Sequence, residues 1–219
     1  MKRGLIVIGI VSTVLLAGCH AQVSGHQAAA QHNQTTATKK LSTKQMTNLK
    51  ERMYQLELSL AFYDNYIGNI GYNVQEGMNA DTVAEVQEYT QKVLIEPQAA
   101  AQKTDAADLK AIGELKLPSK TVEKYTTDYQ QLRTDQDHWI TNLKNFNANN
   151  IAETWQALDA HQDEYRKLST TFGKDQVALL KAGGMSDEEA GKTVQTLIKR
   201  AVKEVGDPTD AAKLNETNQ

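Results

Sequence analysis

The chain has 219 residues, 40% hydrophobic and 23% charged, enough apolar material for one ordinary core and too much for a disordered polymer. A formal net charge of −3 with no basic block argues against nucleic acid as a partner. A single cysteine excludes internal disulfides and thiolate-rich zinc sites, and three prolines suit long helices better than a turn-rich all-β fold.

Met1-Lys2-Arg3 is a basic start, followed by apolar and small residues from Leu5 to Leu16. At about 1.5 Å per residue this run reaches ~18 Å, short of a hydrocarbon core of roughly 30 Å. It reads as the apolar segment of an export signal rather than a membrane span. The run closes on Leu16-Ala17-Gly18-Cys19. This tetrapeptide, so placed, resembles the lipobox of bacterial lipoproteins. The resemblance implies diacylglyceryl on the Cys19 thiol, a palmitate-type anchor, and removal of the signal peptide 1–18 by a type II signal peptidase. Acyl chains contribute ~0.8 kcal/mol per buried CH₂, so two of them hold a protein on a bilayer far better than one. The expected location is the outer face of the bacterial cell membrane, or the outer membrane if the host is Gram-negative, which His20 in place of an aspartate would permit. An ordinary signal peptide with a chance cysteine is the competing reading.

Residues 19–40 then read as the lipidated cysteine and a flexible tether. From His20 to Lys40 only Val23 is a large apolar residue, so ordering this segment would cost more than it could bury. Its reach is ~25 Å for a coil of this length. His20, His26 and His32 lie here, six apart, with no carboxylate or thiol to help them hold a metal.

The helical domain is expected over 41–206. Met46, Leu49, Met53, Leu56, Leu60, Tyr63, Ile67, Ile70 and Val74 alternate spacings of three and four, a heptad seam with Ser42 as the cap. A second helix starts near Thr82 with Val83, Val86 and Val93 on one face. Pro97 predicts a kink or break at Glu96, and Leu109 and Ile112 carry the helix on to Leu117-Pro118. Ser119 is expected to cap a third, with Val122, Tyr125, Tyr129, Leu132, Gln136, Trp139, Leu143 and Phe146 as its seam. After the turn at 147–150 a fourth helix places Ile151, Leu158, Tyr165, Phe172 and Leu179 seven apart, supported by Trp155 and Leu168, and ends at Gly183-Gly184. Ser186-Asp187-Glu188-Glu189 is a capping-box pattern opening a fifth, which buries Ala190, Val194, Leu197, Ala201 and Val205. The expected fold is all-α: an elongated antiparallel bundle of four to five helices with heptad seams, followed by a frayed tail over 207–219.

Chemistry is scarce. Asp135-x-x-His138 with His161 on the next helix is half of the pattern by which bundles hold two metal ions. However, His138 falls at a c position facing solvent, and Leu158 stands where His161 would need a carboxylate. His161 itself takes a d-type position with Gln162, opposite Gln136 and Trp139. These polar residues read as a buried layer that fixes helix register, or alternatively as a small-ligand or metal-binding site. No nucleophile–base pair, phosphate loop or HExxH motif stands out, and Asp159, Asp163 and Glu164 read as a solvated face. Neither an enzyme nor a bound cofactor or metal is expected.

One stripe is unusual. Tyr54, Leu58, Phe62 and Tyr72, with Tyr66 at the margin, lie on the side of helix one opposite its seam. Two readings stay open: a later helix covers this stripe, or it is exposed and binds a protein or cell-wall polymer, for which Tyr and Phe offer large contact area with few rotors. The expected function is that of a non-catalytic cell-envelope lipoprotein binding such a partner, with no nucleic acid involved. In layout alone (lipobox, spacer, heptad-rich helices) the chain is similar to all-helical lipoproteins of bacilli associated with cell-wall binding.

Overall fold

A computed structural model describes residues 40–75 and 80–206, all helix and connecting turns with no strand among them. The signal 1–18, Cys19, the tether up to residue 39 and the tail 207–219 lie outside the described residues, as do the side chains of Ile70, Val74, Trp155 and Leu158. The helices are α1 (Thr43–Gln75), α2 (Ala80–Tyr89), a π-helical turn (Thr90–Ile95), α3 (Glu96–Gly113), α4 (Ser119–Lys144), α5 (Ile151–Ala160), α6 (Gln162–Ala182) and α7 (Asp187–Val205). None of them is long and apolar enough to cross a membrane.

The all-α expectation holds, and the seams are the reason. Leu49, Met53, Leu56, Leu60, Tyr63 and Ile67 of α1 are all buried, as are Tyr125, Tyr129, Leu132, Gln136, Trp139 and Leu143 of α4. Cross-helix bonds give the directions. Arg52 pairs with Asp108 and Ser59 with Asp105, so α3 runs against α1. Lys124 pairs with Asp175 and Gln136 with Tyr165, so α6 runs against α4. The rods α1, α4 and α7 therefore run one way, and α2–α3 and α5–α6 the other. At 33 residues, or ~50 Å, α1 is the long central member and packs against α3, α4, α5 and α7.

The ends follow local chemistry. Ser42 Oγ accepts from the Gln45 amide while Gln45 Oε1 accepts from the Ser42 amide, a reciprocal cap. The same box closes on Ser186 and Glu189 at the start of α7. At α4 the expected Ser119 cap is not formed: Pro118 precedes the helix and Ser119 is already its first residue, with no side-chain cap. Between α6 and α7, Gly184 holds φ of 108°, a conformation an L side chain rarely adopts. The chain enters the bundle at this turn, where the Leu41 amide donates to Gly183 O at 3.0 Å.

Two boundaries differ from the sequence pattern. Pro97 does not break its helix: Glu96 keeps α geometry, and its amide donates to Gln91 O five residues back. The extra residue in the π turn shifts the register just ahead of the proline, where a ring and a missing N–H would otherwise disturb an α ladder. Conversely, the expected single helix from Ile151 to Ala182 is divided at His161, a one-residue turn with φ −100° and ψ −2° whose carbonyl still accepts from the Tyr165 amide at 3.0 Å.

Candidate functional site

The back stripe of α1 is largely covered. Tyr54 is only 2% exposed: Arg200 of α7 lies 3.7 Å above its ring, and its hydroxyl donates to Glu204. Leu58 and Phe62 are half-buried and pack against the core. Tyr54 therefore cannot serve as a docking residue, because α7, apolar along Ala190, Val194, Leu197 and Ala201, occupies that face. The cover stops where α7 ends, at Asn65, whose Nδ2 donates to Val205 O and Gly206 O at 2.9 and 3.0 Å. Just beyond, Tyr66 meets Phe62 with ring centres 4.6 Å apart and Tyr89 of α2 at 5.4 Å. Tyr89 is 42% exposed, a large side chain of apolar body at the surface. The side chain of Tyr72 lies outside the described residues. Tyr89 was missed in the sequence because its own helix shows no aromatic stripe.

The expected polar layer is half present. Gln136 is fully buried, whereas His161 is exposed and Gln162 half-buried. His161 faces outward, so Gln136, His161 and Gln162 do not form one layer. Gln136 instead joins three helices. Its Nε2 donates to Leu60 O (3.1 Å), Asp64 Oδ1 (2.6 Å) and Tyr165 Oη (2.8 Å), and its Oε1 accepts from Arg133 at 2.5 Å. Tyr165 Oη also donates to Asp64 Oδ1 at 2.7 Å. Burial pushes the Asp64 carboxyl up to about 6, against the pull of the Tyr165 and Gln136 hydrogen bonds and the Arg133 charge.

Two further polar clusters flank this one. Arg133, 6% exposed, sits 4.0 Å over the Tyr63 ring and brings Nε within 3.3 Å of Asp105 Oδ2, which also accepts from Ser59. Burial raises the Asp105 carboxyl, while Tyr129, Arg133 and Ser59 oppose the rise. Nearer the chain entry, buried Glu57 accepts from Gln176 Nε2, and burial pushes its carboxyl up to about 7. The Gln176 Oε1 beside it has no donor. Asp64 adds a like charge that raises Glu57 further.

At the surface, His138 and His161 do meet. Their ring centres are 5.6 Å apart with planes at 86°. They line a cavity of about 330 Å³ together with Thr134, Asp135, Trp139 and Glu164. Among the described residues no three His, Cys, Asp or Glu side chains converge as a metal-holding group. Counting outward from the 147–150 turn puts the two histidines at similar heights, whereas the exposure of His161 departs from its d-type position. Compared with family models, curated proteins and solved structures, the chain matches none.

Proposed function

We propose that this chain is a bacterial envelope lipoprotein, anchored through lipid on Cys19, whose helical bundle binds a protein or cell-wall polymer and catalyses no reaction. The observation that carries the reading is Leu16-Ala17-Gly18-Cys19 directly after a short apolar run. It is supported by the buried carboxyls of Glu57, Asp64 and Asp105, which are engaged in bonds between helices. The docking surface is Tyr66 and Tyr89 with the edge of Phe62, not the whole back stripe, because α7 covers the stripe at Tyr54.

Mass spectrometry of the native product checks the anchor. The expected amino-terminal residue is Cys19 carrying diacylglyceryl; a bare thiol, or residues 1–18 still attached, overturns it. For the docking surface, Tyr66→Ser with Tyr89→Ser is expected to lose a cross-linked envelope partner while the melting temperature falls by only a few degrees, as for a largely surface change. Retention of every cross-linked species by the double variant rejects this surface.

A further inference from the structure

The cavity between α4 and the α5–α6 junction is a site that the envelope reading does not use. His161, in the one-residue turn between α5 and α6, meets the imidazole of His138 on α4. The lining includes two carboxylates, Asp135 and Glu164, and neither lysine nor arginine, so its field favours a cation over an anion. Asp135 is additionally tied by the Gln131 amide at 3.0 Å, while the Asp163 carboxylate next door is engaged by Arg166. Imidazole nitrogen suits zinc, nickel and copper ions, where carboxylate alone would suit magnesium or calcium. Two imidazoles bound to one tetrahedral ion have ring centres roughly 5 Å apart, close to the 5.6 Å found here.

We propose that His138 and His161 chelate a divalent transition-metal ion of the zinc, nickel and copper series at the mouth of this cavity. The two imidazoles supply the protein ligands, water fills the remaining positions, and Asp135 and Glu164 supply the negative surroundings. Because the ligands sit on two rods, the ion pins α4 to the α5–α6 junction. This site does not depend on lipidation or on the aromatic surface, and it fails or stands separately from them.

The test is calorimetric titration of the full chain in detergent with zinc chloride at pH 7.5. Cys19, His20, His26 and His32 are replaced by C19S, H20A, H26A and H32A to remove competing ligands. One site of micromolar affinity is expected. H138A and H161A should each weaken it at least about tenfold, and the pair together little further, since one imidazole does not chelate. D135N with E164Q should weaken it by about two- to fivefold. Saturating zinc should raise the melting temperature of the starting chain but not of H138A, a surface change on α4 that keeps the fold. Absence of heat in the starting chain, or binding by H138A and by H161A as tight as that of the starting chain, overturns the proposal.

Discussion

Replacing Glu57 by glutamine is expected to make the domain more stable at pH 8 by roughly 3 kcal/mol and to leave it nearly unchanged at pH 4. A carboxyl with an ordinary value of 4.5 that titrates at about 7 inside the fold holds its proton more tightly in the native state than in the unfolded one. Its contribution is fully present below 4.5 and is lost as pH rises towards 7. Asp64, ordinarily 3.8 and here about 6, acts in the same direction over a lower window. The domain therefore gains from these groups in mild acid and pays in mild alkali. Glutamine at 57 keeps an acceptor for Gln176 Nε2 and adds a donor beside Gln176 Oε1, which now lacks one. Urea unfolding of wild type and E57Q across pH 4 to 8 measures the effect. The wild-type curve should fall between pH 4.5 and 7 and the E57Q curve should be flatter; two parallel curves would mean that Glu57 is ionised in the native state.

Arg133→Met should cost about 3–5 kcal/mol at pH 7, the usual result of leaving one partner of a buried ion pair behind. Arg133 faces Asp105, the Gln136 amide and the Tyr63 ring together, so its removal strips three helices of a common partner. Adding Asp105→Asn should recover part of the loss, because the stranded charge is then gone; the difference between single and double variants gives the coupling. At pH 4 the R133M penalty should shrink, since burial already raises the Asp105 carboxyl and it can take up a proton. A loss below about 1 kcal/mol in equilibrium unfolding at pH 7 would place Arg133 outside the energetic core.

Why were Glu57, Asp64 and Arg133 not legible as site residues while Gln136 was? Gln136 occupies a seam position of α4, where a polar residue breaks an apolar pattern and draws notice. Glu57 and Asp64 follow Leu56 and Tyr63 by one residue, and Arg133 follows Leu132, all at the e edge of a seam. Charged e residues ordinarily point to water beside a two-helix contact. Here α1 is packed against neighbours on several sides, so its flanks are interior too. The available signal was two carboxylates one heptad apart on a helix apolar on opposite faces. The seams, caps and turn glycines, by contrast, are local chemistry and carried the helical order. The π turn ahead of Pro97 and the break at His161 depend on register between packed rods, which periodicity along one rod does not report. Which helix lies over Tyr54 is a question of the same kind: the pattern offered a cover or a docking face, and geometry chose the cover for that residue.

The clasp between Tyr54 and Glu204 joins residues 150 apart in sequence, and Asn65 reaches the carbonyls of Val205 and Gly206 across a similar span. During synthesis α1 emerges well before α7, the helix that completes its packing. Until α7 arrives, an aromatic face of α1 stays wet and open to other chains, and contacts of such long loop closure form late. Nascent chains cut short before residue 187 should therefore stick to one another or to a holding chaperone through Tyr54 and Leu58.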